Sequence, residues 1–295
     1  MTPQDFDFLA SLLKKYSGFS LIPGQLYLLE SRLAPILRQN NLVGLEDLVT
    51  SLKLNNAELR KSVIEAVSVN NTRFFRNKYV FNAIEELVLS KFNSSTGSGN
   101  FRVLSAGCAS GQEPVSIALL LNEMRLSQDF TMDIFALDMS RPMIERAKKA
   151  LYSHYEVQKG LPARFLLKYF SPRADNFWAL NADILKHISY KVHNLMNLFD
   201  ERDFDVVLCR NMLSFMTPEA QAQALENLAA IMCPDAVLII GASEVLHDNN
   251  FFEKIPNKIA CYRLKPSSLA KLNSSEERGW TLTKKPLFKA ALPKT

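Results

Sequence analysis

No apolar run reaches the ~18 residues of a membrane-spanning helix, so insertion into a membrane is not expected. The opening Met1-Thr2-Pro3-Gln4-Asp5 has no basic stretch followed by an apolar core, so no signal peptide is expected. Cysteine is scarce. Cys108, Cys209, Cys233 and Cys261 show neither metal nor disulfide spacing, which points to reduced thiols in a cytoplasmic protein and to no metal site. A Gly-Lys-Ser/Thr phosphate cradle is missing as well. There is little excess charge outside the end of the chain: from Lys265 onward seven bases meet two acids, and that stretch carries the whole net charge of +5. The remaining body is close to neutral, which gives no reason to expect a nucleic-acid partner.

What the chain does have is centred on Arg102 to Glu113, RVLSAGCASGQE. A short apolar strand (Val103, Leu104) runs into a turn of small residues. A helical pattern follows, with Pro114, Val115, Ile117, Ala118 and Leu121. Such a turn lets a backbone approach a ligand, and a helix N-terminus offers unpaired N–H groups. Alone, it serves tight packing equally well. About 25 residues later a second strand, Met132 to Leu137, ends in Asp138, at the distance of a ribose-binding acid. Gln112-Glu113 at the helix start would repel a phosphate and suits a ligand carrying positive charge. S-adenosylmethionine, with a sulfonium, an ammonium and no phosphate, fits better than a dinucleotide or ATP.

Residues 1 to about 70 read as helices. Phe6, Leu9, Leu12, Leu13 and Tyr16 form one stripe that Gly18 stops, and three more stripes follow through Leu37, Leu52 and Val67. Seven acids balance seven bases here, so no strong electrostatic role is expected. The region 77–100 is expected to hold a helix, Val80 to Phe92, and then a flexible connector, Asn93 to Asn100. An α/β domain is expected over 101–264. It includes a helix capped by Ser140 and an insertion at about 152–187 holding a short helix and the strand Phe177 to Leu180. A strand through Ile188, Tyr190 and Val192 closes at Asn194-Leu195. A buried strand ends at Cys209-Arg210-Asn211, on the sheet edge where open α/β folds bind ligands. Cys233-Pro234-Asp235 is expected to turn the chain into a strand from Val237 to Ile240. Residues 265–295 read as a flexible basic tail.

Several of these stretches, in this order, resemble the chemotaxis receptor glutamate methyltransferases of the CheR type. Asn70-Asn71-Thr72-Arg73-Phe74-Phe75-Arg76 is similar to that family's Asn-x-Thr-x-Phe-Phe-Arg, and Cys108 to Pro114 to its Cys-Ser-Thr-Gly-Glu-Glu-Pro. Asp138, Asn194-Leu195, Cys209-Arg210-Asn211 and Ser243-Glu244 match its later motifs. Two positions depart: Phe215 stands where the family usually has Tyr, and Ala242 where it often has His.

The resemblance implies an all-helical N-terminal domain (1–76) that contacts the receptor, then a Rossmann-like S-adenosylmethionine-dependent methyltransferase domain. The insertion would be a small antiparallel β-subdomain, which in some members docks a C-terminal receptor peptide. It implies transfer from S-adenosylmethionine to receptor glutamates, giving methyl esters and S-adenosylhomocysteine for chemotactic adaptation. Gly107 and Gly111 would pass close to the cofactor, Glu113 would meet its ammonium and Asp138 its ribose. Asn194 and Leu195 would flank adenine. Asn70, Thr72 and Arg76 would line the methyl-donor end, Arg76 orienting the acceptor carboxylate, with Asn211 and Phe215 closing the far wall. Two other readings stay open: a methyltransferase for a different acceptor, and an S-adenosylmethionine-binding interaction protein whose catalysis is weakened by the Phe215 departure.

Overall fold

Four helices take up the N-terminal apolar stripes in the computed structural model, which describes residues 1–22, 24, 26–67, 71–95, 99–124, 126, 129–246 and 249–268. They are α1 (Pro3–Ser17), α2 (Leu26–Gln39), α3 (Leu45–Lys53) and α4 (Ala57–Ala66). The Thr2 hydroxyl oxygen accepts the Asp5 N–H, Pro3 occupies the first turn, and Gly18, at φ 69°, ends α1 in the left-handed region. Leu9, Leu13, Leu33, Leu48 and Val63 are fully buried in a core shared by the four helices.

The next helix, α5 (Lys78–Ser94), buries Val80, Ile84, Leu87 and Val88 against the following domain. The expected connector is shorter than 93–100. Asn93 and Ser94 belong to α5, the Ser94 and Ser95 hydroxyls donate to the Lys91 carbonyl, and Gly99 and Asn100 already pair with Phe130 and Thr131.

The α/β domain runs β1 (Gly99–Ala106), α6 (Gln112–Glu123), β2 (Phe130–Asp138) and α7 (Arg141–Lys149). The insertion follows: β3 (Leu151–Ser153), α8 (His154–Gln158), α9 (Ala163–Tyr169), β4 (Phe170–Arg173), β5 (Phe177–Leu180) and α10 (Ala182–Leu185). The chain then continues through β6 (Ile188–Val192), β7 (Phe204–Cys209), α11 (Pro218–Ile231), β8 (Met232–Ile240), β9 (Phe252–Lys254) and β10 (Cys261–Leu264). The main sheet has the order β6-β2-β1-β7-β8-β10-β9, with β6, β2, β1, β7 and β8 parallel and β10 antiparallel to both neighbours. The insertion forms a separate antiparallel sheet, β3-β5-β4.

Three further expectations need correction. Ser140 stands at the N-cap position of α7, but its hydroxyl makes no cap bond; its backbone N–H donates to the Asp138 carboxylate at 2.8 Å. Cys233-Pro234-Asp235 lies inside β8 and does not precede it. Pro234 has no N–H for the ladder, and the register with β7 shifts between Phe204 and Val206. The start of the tail is tied down: the Lys265 ammonium donates to the Asn249 carbonyl and the Ser268 hydroxyl to the Asn250 carbonyl, at 2.6 and 2.8 Å. The rest of the tail lies outside the described residues. Strands β9 and β10 are too short, at three and four residues, to show an alternation in sequence. Among the described residues no helix is long and apolar enough to cross a membrane, and no group of His, Cys, Asp and Glu could hold a metal.

Candidate active site

The order of the parallel strands reverses between β1 and β7, and a crevice opens there beyond their C-terminal ends. It spans about 860 Å³, part of it open to solvent. Gly107, Ala109, Asp138, Met139, Asn194, Leu195, Arg210, Asn211, Met212, Phe215 and Met216 line it from the α/β domain. Ser17, Phe19 and Val67 line it from the helical domain, and Asn71 from the segment between them.

The β1–α6 turn is held against β2. The Gly107 and Cys108 N–H groups both donate to the Leu137 carbonyl, at 2.8 and 2.9 Å. Gly107 needs φ 78°, and a Cβ there would meet the Met212 sulfur at 2.9 Å. Ala109, at φ 47°, turns its N–H onto the Asp138 carboxylate at 2.9 Å. Asp138 is buried, and burial pushes its carboxyl above the usual range, against the pull of the Ser140 and Ala109 N–H groups. Asn211, at φ 59° in the left-handed region that Asn tolerates, is fixed by its N–H to Glu244 at 2.7 Å. The same carboxylate accepts the Gly241 N–H at 2.7 Å and the Ser214 N–H at 3.3 Å. Glu244 therefore joins the loops after β7 and β8.

Gly111 does not line the crevice. A Cβ on it would lie 2.9 Å from the Tyr190 hydroxyl, 3.0 Å from the Ala147 Cβ and 3.2 Å from the Tyr152 hydroxyl, so it serves close packing under α6. Glu113 stands one layer back. It pairs with Arg210 at 2.5 Å and accepts the Ser105 hydroxyl at 2.8 Å. Arg210 also donates to the Arg76 carbonyl at 2.9 Å and to Asn77 Oδ1 at 2.7 Å. Arg76 is half-buried and donates to the Asn71 carbonyl at 2.8 Å, without a carboxylate partner among the described residues. Burial, Arg210 and Arg73 all disfavour its charge, while Glu113 and Glu244 favour it. Thr72 is half-buried beside this segment and outside the crevice lining, and Asn70 lies outside the described residues. Asn194 does line the crevice, and its amide donates to the Tyr16 carbonyl of α1 at 2.6 Å.

Reading by sequence missed Arg210, although the tripeptide around it stood out. It also missed Asn71, next to the chosen Asn70, and the methionines Met139, Met212 and Met216. Ser17 and Phe19 carry no local signal, because what brings this stretch here is the pairing of Phe19 with Phe215 and Met216, nearly 200 positions away.

The site fits an adenosyl sulfonium. Asp138 keeps acceptor capacity for hydroxyls, Gly107 brings the backbone of the turn to the crevice wall, and Arg210 is neutralised by Glu113 and so offers no free cation for a diphosphate.

Comparison with known proteins agrees. Residues 70–261 match the family model described as CheR methyltransferase, SAM binding domain, and residues 4–68 match CheR methyltransferase, all-alpha domain. Chemotaxis protein methyltransferase 1 of Pseudomonas aeruginosa is 29% identical over 249 residues, covering 83% of this chain and 91% of that protein. Chemotaxis protein methyltransferase Cher2 of Pseudomonas putida is 29% identical over 249 residues, covering 82% and 90%. The chemotaxis protein methyltransferase of Vibrio parahaemolyticus is 27% identical over 251 residues, covering 83% and 90%. With an all-helical domain, an α/β domain with S-adenosylmethionine as its cofactor and both family models matched in order, this chain belongs to the CheR methyltransferase family.

Proposed function

We propose that this chain transfers methyl groups to glutamate side chains of chemoreceptors in the cytoplasm, as part of chemotactic adaptation. The observation that carries the acceptor class is Arg76, a half-buried guanidinium beside Arg210 with no carboxylate partner among the described residues. An acceptor carboxylate supplies that partner. The names of the relatives support the chemotactic setting.

Bound S-adenosylmethionine supplies an electrophilic methyl, and its transfer to a carboxylate oxygen leaves S-adenosylhomocysteine and a methyl ester. The acceptor needs no base, because a glutamate of ordinary pKa about 4.3 is ionised at neutral pH. The work of the protein is therefore alignment and exclusion of water. Asp138 would hold the ribose hydroxyls, Asn194 and Leu195 would flank the adenine, and the backbone at Gly107 would pass close to the cofactor. Glu113, one layer behind the crevice, accepts from Arg210 and Ser105 and would meet the ammonium with its remaining acceptor capacity. Arg76 orients the acceptor carboxylate at the methyl-donor end, where Asn70 and Thr72 of the same segment would meet the cofactor, and Asn211 and Phe215 form the opposite wall. The helical domain presents the receptor's helices. In the small sheet β3 and β4 are the outer strands, which supports strand addition by a receptor C-terminal peptide.

The test is incubation with methyl-labelled S-adenosylmethionine and membranes containing chemoreceptors, counting label released as methanol by mild base. Base-labile label on receptors is expected. Arg76→Ala should lower transfer by roughly 100-fold or more while S-adenosylhomocysteine affinity changes little. Equal loss of both would assign Arg76 to the cofactor or the fold. Label on another acceptor, or none beside intact cofactor binding, would overturn the receptor reading.

A further inference from the structure

The C-terminal end of α1 is stitched to the turn that carries Phe215. Ser20 N–H donates to the Phe215 carbonyl and Thr217 N–H to the Gly18 carbonyl, both at 2.8 Å, and Phe19 and Met216 form an antiparallel bridge. Gly18 makes this approach possible. Its φ of 69° turns the chain, and a Cβ in its place would lie 2.5 Å from the Ala220 Cβ on α11. The amide of Asn194 reaches the Tyr16 carbonyl from the other side. Ser17 and Phe19, at the end of one domain, thereby border a cleft formed mainly by the other.

The bridge sets two rings in a defined relation. Phe19 and Phe215 lie with their planes within 3° of parallel and their centroids 6.4 Å apart, and both line the cleft. Phe215 belongs to a short 3-10 turn, Leu213–Phe215, and is only half-buried. No hydroxyl at this position can anchor the ring by a hydrogen bond. Its orientation rests on what packs against it.

We propose that Phe19 is a positioning residue of the methyl-donor site, holding the Phe215 ring so that the helical domain completes the cleft that binds S-adenosylmethionine. This rests on the reading of the cleft as the donor site. A ring fixed before binding loses less freedom on binding, so the cost of ordering the wall is met by the fold and not by the ligand. Replacing either ring by an aliphatic side chain keeps the cleft apolar and removes the stacked pair.

Isothermal titration of the full chain with S-adenosylhomocysteine tests this, using Phe19→Leu, Phe215→Leu, both together, and Phe19→Tyr. Phe19→Leu should weaken binding roughly three- to tenfold. Phe19→Tyr, which keeps the ring, should bind within about twofold of the unsubstituted protein. In the Phe215→Leu background, Phe19→Leu should add little, because Phe19 acts through Phe215. Unchanged affinity of Phe19→Leu would overturn the proposal, as would a loss that adds in full to that of Phe215→Leu. If Phe19→Leu lowers thermal stability, the Phe19→Tyr result decides: loss of affinity there too, with the ring present, also overturns it. No binding by the unsubstituted protein would overturn the donor-site reading itself, and this inference with it.

Discussion

At one end of the cleft Arg210, Glu113, Ser105 and Asn77 hold one another by short, charge-assisted hydrogen bonds, and Glu244 holds three backbone N–H groups. At the other end Phe19, Phe215, Met212 and Met216 border the space with almost no side-chain hydrogen bonding, joined by two main-chain bonds between domains. The polar end is assembled within residues 76–244, whereas the apolar end exists only because the helical domain reaches across. Buried charges tolerate little rearrangement, since a lost partner leaves an uncompensated group. Packed apolar groups fail by degrees, because contacts are lost a few at a time.

The largest break is expected at the polar end. Arg210→Met leaves the half-buried Glu113 without its guanidinium and should cost about 2–4 kcal/mol in denaturant unfolding. Adding Glu113→Gln removes the stranded charge and should recover a good part of that loss. No recovery would mean that the Asn77 and Arg76 contacts, and not the ion pair, hold this end together.

Gly18→Ala strikes the interdomain bridge. The left-handed backbone and the approach to Ala220 together should cost about 2–4 kcal/mol, with weaker S-adenosylhomocysteine binding in proportion. Gly44→Ala is the control. Its φ is extended and the space around it is open, so only the roughly 0.5–1 kcal/mol of placing Ala at the N-cap of α3 is expected. Similar losses at both glycines would remove the distinction drawn for the bridge.

Phe215→Tyr sharpens the comparison, since it puts a polar group into the apolar end. If the missing hydroxyl limits the chemistry, turnover should rise about two- to tenfold with little change in cofactor affinity. Unchanged turnover would show that the apolar wall works without it. A fall would favour a chain adapted to bind more than to transfer.

The smallest effect concerns Asp138, which lines the cleft at the end of β2. Burial raises its carboxyl pKa in the folded, ligand-free protein. Its contribution to folding stability is therefore fully present below the ordinary carboxyl value of about 3.9 and is lost as pH rises through the raised one. Cofactor affinity should run the opposite way, because the ionised form accepts ribose hydroxyls better: binding weakens as pH falls through the raised value and is flat above it. Carboxyl NMR titration with and without S-adenosylhomocysteine checks both, and the ligand should lower the pKa. A pKa unmoved by ligand would take Asp138 out of the proposed ribose contact.

Much of the α/β side could be read before folding because its signals are local. The strand before Ser105, the turn through Gly111 and the acid ending β2 lie in short windows whose hydrophobic period and small residues state their conformation. Where that reading erred, one residue type was serving another purpose. Gly111 faces Tyr190, Tyr152 and Ala147 and not the cleft, because a glycine in a turn relieves crowding on whichever side the chain is packed. Ser140, with the composition of a cap, occupies the N-cap position without a side-chain cap bond, and its N–H serves Asp138.

By itself the sequence determined the helical N-terminal segment, the alternation of strands and helices, the inserted subdomain and the edge positions of Asp138, Asn194 and Asn211, because periodicity and turn chemistry act over a few residues. Only the tertiary structure decided that Arg210 would stand between Glu113 and the Arg76 segment, that Glu244 would gather the loops after β7 and β8, and that Phe19 would lie parallel to Phe215. Those arrangements join residues about 30 to 200 positions apart. The free energy that selects them is the burial of surfaces that meet only once both domains have formed, and no window of the chain carries that information.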